Sequence, residues 1–298
     1  MTEPSPAHAP YLERLAARSV SVGSVLCLGI DPDPAALPAG FSRDLVGVER
    51  FAALLIEAAV PYAAAVKPNL AFFEAYGSDG LAALERIRAT IPADVPVILD
   101  AKRGDIGSTA ARHAVALYDA LGGDAVTLSP YLGEQAIQPL LERLDRFAYV
   151  LCRTSNPGAG EVQDLVVAPS QDGAMPAEAL HLRVARIAGE WGPGGTVGLV
   201  VGATAPAELR AIRDVAPALA FLVPGVGAQG GDPSAVLTHG RATAAPVSER
   251  PGGGLLVNVS RGIASAAGDD SGGTAGADAL ERVDAAARAW STALAVLP

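Results

Sequence analysis

At 298 residues, half of them apolar and 18% charged, the chain has ample material for a large core, and α/β barrels routinely use that length for a single unit. A net charge of −10 argues against non-specific nucleic-acid binding, which relies on Lys and Arg neutralising phosphates. No segment approaches the ~20 apolar residues of a membrane span, and the first twenty residues carry no continuous apolar stretch, so a cytoplasmic protein is expected.

Short β-rich runs recur between Ala-rich stretches of helical period. In chain order they are SVLCLGI, YAAAVKP, VPVILDA, DAVTLSP, AYVLCRT, TVGLVVG, AFLVPGV and GLLVNVS. Between the first two, Phe51, Leu54, Leu55, Ala58 and Ala59 fall on one helix face. Strands that lack clean alternation and are each followed by a helix imply a parallel sheet covered on its outer face. Eight such units favour a closed (β/α)8 TIM barrel, one α/β domain over residues 1–298. Two segments break the rhythm. Gly230 to Gly254, between the last two strands, and Ala266 to Asp278 are rich in Gly, Ala, Ser, Pro and Asp and read as exposed mobile loops. An amphipathic helix, Ala279 to Val296, closes the chain.

Cys27 and Cys152 each lie within a strand run and are expected as buried reduced thiols. His8, His113, His181 and His239 are scattered without metal-ligand spacing and read as surface or core-edge residues. There is no Cys/His cluster, no GxSxG elbow and no Walker sequence, so neither a metal nor an organic cofactor is expected.

The unusual polar residues fall where the strands end, the face on which parallel barrels collect their chemistry. The first strand ends LGID, placing Asp31 there; the second ends VKPN, with Lys67 and Asn69; the fifth ends CRTSNPGA, with Ser155. The seventh ends VPGVGAQGG, with Gln229, and the eighth NVSRG, with Arg261. The third ends ILDAKRGD. Residues two apart on a strand share a face, so Ile98, Asp100 and Lys102 point the same way, into the mouth if Ile98 lies inside. Lys67 from the neighbouring strand approaches the same space, making an alternating array of ammonium and carboxylate groups that stays ionised. An ammonium held among carboxylates suits an acid that stabilises a carbanion as it forms and then protonates it. A Schiff-base lysine needs a neutral amine, which flanking carboxylates oppose. The loop after the seventh strand, with Gln229 and Arg261, sits where such barrels frequently bind phosphate. Asp105 lies past the strand end at Arg103-Gly104, badly placed to turn back into its own barrel mouth; a symmetric partner could receive it.

From LGIDPDP through VKPN, DAKRGDIGST, TSNPGA and PGVGAQGG to VSRGI, the chain resembles the orotidine 5′-phosphate decarboxylases, and among them the longer branch common in mycobacteria and other actinobacteria. The resemblance implies conversion of orotidine 5′-monophosphate to UMP in pyrimidine synthesis. It implies that Lys102 protonates C6 of the pyrimidine, that Asp100 lies beside the departing CO2, and that Lys67 ties Asp100 to the ribose. It further implies a homodimer with shared sites, in which Asp105 and Thr109 reach into the partner's site. Asp31 is then a ribose ligand with Asn69 near it, Ser155 reads the pyrimidine edge, and Gln229 and Arg261 grip the phosphate. Two alternatives stand beside this reading. One is a Mg²⁺-dependent sugar-phosphate decarboxylase or synthase of the same superfamily, which wants an additional acidic ligand where the second strand offers KPN. The other is an inert nucleotide-binding barrel, whose signature would be loss of Lys67, Asp100, Lys102 or Asp105; all four are present.

Overall fold

The computed structural model describes residues 9–268 and 277–296. All eight expected strands form: β1 (Leu26–Ile30), β2 (Ala65–Pro68), β3 (Ile98–Arg103), β4 (Ala125–Leu128), β5 (Phe147–Arg153), β6 (Val197–Val201), β7 (Ala220–Pro224) and β8 (Leu255–Val259). They make one parallel sheet in the order β2-β1-β8-β7-β6-β5-β4-β3. The two ends of that order meet through single bridges, Val66 with Val97 and Asn69 with Asp100, so the barrel is nearly closed.

Both faces of the strands are buried, which is why their sequences lack alternation. Outward residues such as Leu28, Val66, Leu99, Val126, Val150 and Val257 pack beneath the surrounding helices. Inward residues Cys27, Ile98, Phe147, Tyr149, Leu222 and Leu256 join Tyr11, Leu12 and Leu15 of the helix Tyr11–Val22 in a second cluster. That helix plugs the N-terminal end of the barrel: the Tyr11 ring stacks on Phe147 with centroids 4.9 Å apart, and its hydroxyl lies 3.2 Å from that of Tyr149. With the interior filled from below, the space inside the barrel opens toward the C-terminal ends of the strands. Cys27 and Cys152 are both buried free thiols, as expected, and burial pushes the Cys27 thiol up to about 12.

The segment between β7 and β8 departs from the expected open loop. It contains a helix, Pro233–Gly240, with Asp232 accepting the Ser234 N–H at its N-terminus and Pro233 in the first turn. Val236, Ala242 and Val247 of this segment are buried. The Gly, Pro and Ser content that suggests a loop supplies caps and turns for this short helix instead. Of the second expected loop, Ala266 and Ala267 belong to the 3₁₀ turn Ser265–Ala267 and residues 269–276 lie outside the described region, as does His8. The terminal helix runs from Ala277 to Ala293, two residues earlier at its start and three earlier at its end than expected; beyond it Leu294 O accepts the Val25 N–H and Ala295 bridges Ser24. After β5, where no strand is expected, Val166–Val167 pairs antiparallel with Glu178–Ala179. No described helix is long and apolar enough to cross a membrane.

Candidate active site

The inward ends of β2 and β3 bring together the charged groups read from the sequence. Lys67 Nζ lies 2.6 Å from Asp100 Oδ2, and Lys102 Nζ lies 2.6 Å from Asp100 Oδ1. The Lys67 and Asp100 side chains are 5% and 10% exposed, whereas that of Lys102 is 50% exposed, so one ammonium is sealed and the other faces the cleft. Burial disfavours charge on both buried groups, and the neighbouring charges overcome it. For Asp100, Lys67 and then Lys102 hold the carboxyl well below the usual carboxylate range. For Lys67, Asp100 and then Asp31 raise the ammonium above the usual lysine value.

The route by which Lys102 reaches Asp100 differs from a regular strand. The β3–β4 ladder steps from Leu99–Val126 to Arg103–Leu128, so four residues of advance on β3 face two on β4. Within this bulge Lys102 is the sole described non-glycine residue with positive φ, at 48°. Thr127, directly across on β4, accepts the N–H groups of Ala101 (3.1 Å) and Lys102 (3.0 Å) and donates to Asp100 Oδ1 (2.8 Å).

Two connected chambers open above these groups. The first, about 390 Å³, is lined by Asp31, Asn69, Gln229, Asn258 and Arg261 among others. The second, about 450 Å³, is lined by Lys102, Thr127, Ser155, Asn156, Gln163 and Val200 among others. Lys67, Asp100, Pro224 and Gln229 border both, so the charged array stands where they join. Asn69 Oδ1 receives the Ala71 N–H at 3.3 Å, while its backbone bridges Asp100. Close approach of backbone admits Ser155: a Cβ on Gly202 would lie 2.8 Å from Ser155 N, and one on Gly225 (φ 102°) 3.0 Å from Ser155 Cβ. The Gly-rich turn after β7 then returns on itself, with Gly231 N–H bonded to Gly225 O, and presents Gln229 over the cleft.

A family model described as orotidine 5′-phosphate decarboxylase / HUMPS matches residues 24–274. The chain belongs to the orotidine 5′-phosphate decarboxylase / HUMPS family. It is 45% identical over 274 residues to an orotidine 5′-phosphate decarboxylase of Herpetosiphon aurantiacus, covering 92% of this chain and 94% of that one. A relative of the same name from Roseiflexus castenholzii is 48% identical over 241 residues, 80% of this chain and 83% of that one. Among solved structures, OMP decarboxylase of Leishmania donovani superimposes with a TM-score of 0.76 at 37% identity, over 94% of this chain and 95% of that one. UMP synthase of the same organism matches with a TM-score of 0.79 at 39% identity, over 96% of this chain but only 56% of its own length.

Within this orotidine 5′-phosphate decarboxylase-family barrel, Asp31, Lys67, Asn69, Asp100, Lys102, Ser155, Gln229 and Arg261 all line the chambers. Asp105 and Thr109 do not. Asp105 Oδ1 accepts the Ile106 N–H at 2.7 Å, and Thr109 is exposed on the helix Gly107–Ala114. Ile106, next to Asp105, and Tyr131, in the turn after β4, are large, exposed apolar side chains. Thr127, Asn258 and Gln163 escaped the sequence reading. The first two carry a readable signal, a polar residue at an inward position of an otherwise apolar run. Gln163 has none; it lines the second chamber because its amide clasps Thr154, accepting the Thr154 N–H at 2.8 Å and donating to its hydroxyl at 2.9 Å. His181, expected at the surface or core edge, is buried behind this loop, with Nδ1 2.9 Å from Gln163 O. Among the described residues no group of three or more His, Cys, Asp or Glu side chains is disposed to hold a metal ion.

Proposed function

We propose that the protein decarboxylates orotidine 5′-monophosphate to UMP in de novo pyrimidine synthesis, using no metal or organic cofactor. The observation that carries the reading is the Lys67–Asp100–Lys102 array at the junction of two chambers, one with Gln229 and Arg261 at its wall and the other with Ser155. The relatives that share most of the chain's length, named orotidine 5′-phosphate decarboxylases, support it.

In this reading the phosphate takes the first chamber against Gln229 and Arg261, whose guanidinium suits bidentate binding of an oxyanion. The ribose lies by Asp31 and Asn69, and the pyrimidine occupies the second chamber with Ser155 at its edge. The bond from C6 to the carboxylate breaks and its electron pair stays on C6. The ammonium of Lys102 stabilises that developing charge and then transfers a proton to C6, while CO2 departs. Lys102, half exposed, recovers its proton from solvent. Asp100 remains ionised throughout and holds Lys102 in place, and Lys67 keeps Asp100 charged despite burial. Asp105 and Thr109, which line neither chamber of their own chain, serve the site of a second copy, giving a two-fold homodimer whose contact includes Ile106 and Tyr131. The chain acts as one barrel domain in the cytoplasm.

The test is the loss of orotidine 5′-monophosphate absorbance with purified, EDTA-treated protein. Full activity is expected, with Lys102→Ala inactive yet still binding UMP. Activity that vanishes with chelator and returns with Mg²⁺ would move the reading to metal-dependent sugar-phosphate chemistry.

A further inference from the structure

We infer that Thr127 is a positioning residue for the decarboxylation, its hydroxyl fixing both the backbone and the ammonium of Lys102. The inference rests on the reading of Lys102 as the proton donor and concerns what holds that donor in place.

A bulge of this size on β3 removes ladder acceptors from the residues inside it. The N–H groups of Ala101 and Lys102 both turn to a single side-chain oxygen, Thr127 Oγ1. A hydroxyl has two acceptor sites and one proton, and Thr127 uses them all, because its own hydrogen goes to Asp100 Oδ1. That is the oxygen which Lys102 Nζ contacts. One buried hydroxyl thus grips Lys102 at its main chain and, through Asp100, at its tip. The grip has something to oppose. Lys102 sits at φ 48°, where a side-chain-bearing residue persists only if its surroundings over-determine it. Without the hydroxyl, the buried Ala101 N–H and the partly buried Lys102 N–H lose their acceptor and Asp100 loses one of three donors, and the bulge can relax toward a regular strand. The ammonium would then move relative to C6. Displacements of about 1 Å at a reacting group are worth on the order of 10²-fold in rate.

The experiment compares Thr127→Ser, Thr127→Cys and Thr127→Val with wild type. Each is measured for kcat per UMP-binding site, KM and UMP affinity, with sites counted by UMP titration so that misfolded protein does not enter the rate. Ser keeps the donor and both acceptors, Cys weakens all three bonds at similar volume, and Val abolishes them. The expected order of kcat is wild type, Ser within about tenfold, Cys at least tenfold below Ser, and Val lower by on the order of 10² or more, with KM and UMP affinity within about threefold. A structural role alone lowers melting temperature and the number of binding sites but leaves kcat per site unchanged. Equal kcat per site for Ser, Cys and Val would overturn the inference. If Val yields no UMP-binding protein, equality of Ser and Cys overturns it alone. Lys102→Ala in the same assay separates the two readings: turnover retained there refutes the proton-donor assignment itself, whatever Thr127 does.

Discussion

Replacing Asp100 by Asn tests whether the charged array is one interdependent unit. The carboxylate receives Lys67 on Oδ2 and both Lys102 and Thr127 on Oδ1. An amide of the same shape has one acceptor oxygen, so its NH2 must face either Lys67 or both Lys102 and the Thr127 hydroxyl. The contacts are unequal. Lys102 is half exposed, and its share of the stability is about 1 kcal/mol or less. Lys67 is 5% exposed and would be left with the more distant Asp31 as its compensating charge. Removing one member of a buried pair costs roughly 3–5 kcal/mol, which for a chain of this size lowers Tm by roughly 5–8 °C. The pH dependence follows from the direction of the Asp100 shift. Its folded value lies well below the usual carboxylate range, so its stabilisation is fully present above the unfolded carboxyl value near ~4 and is lost as pH falls through the folded one. Lys67, raised, adds stability that persists up to its ordinary lysine range and is lost only as pH rises through its folded value. Calorimetric melts of wild type and Asp100→Asn should therefore differ by a constant gap from about pH 5 to 9 and converge in strong acid. Turnover of the variant should fall by on the order of 10³, because Lys102 loses its tether and Lys67 its partner. A gap below about 2 °C at neutral pH, or one that narrows between pH 7 and 5, would refute this account of the array.

If, as proposed, Arg261 carries the charge opposed to the phosphate, Arg261→Ala should lower kcat/KM for orotidine 5′-monophosphate by on the order of 10²-fold or more, and Gln229→Ala by less. Steady-state rates with the nucleoside lacking the phosphate are the control: an equal loss there would mean that Arg261 supports the fold. Mixing inactive Lys102→Ala with inactive Asp105→Ala should restore activity through heterodimers that carry one intact shared site; no recovery despite demonstrated subunit exchange would place Asp105 in its own chain. Gly225→Ala puts a side chain at φ 102° with its Cβ 3.0 Å from both Ser155 Cβ and Gln229 Oε1. Strain of about 1–3 kcal/mol there should displace the Gln229 turn and raise KM at least several-fold; an unchanged KM would separate that turn from ligand binding.

The barrel was legible in the sequence because a strand buried on both faces must be apolar at nearly every position, and eight such runs allow few other closures. The polar ends of those runs were legible for the complementary reason. A charged residue ending an apolar strand either meets water or meets its counter-charge, and Lys67, Asp100 and Lys102 recur at one end of the sheet. The helix Pro233–Gly240 was not legible, since a short helix rich in capping residues shares its composition with a turn. Nor could spacing reveal the bulge in β3. Strand period alone put Asp100 and Lys102 on one face, yet a register in which four residues oppose two exists only between two strands. It is β4, distant in sequence, that offers a hydroxyl at the right depth to accept the displaced N–H groups. Residue types and their order along the chain determined which groups arrive at the mouth. Tertiary packing decided how each is held, because hydrogen-bond partners are set by the neighbouring strand and not by the next residue.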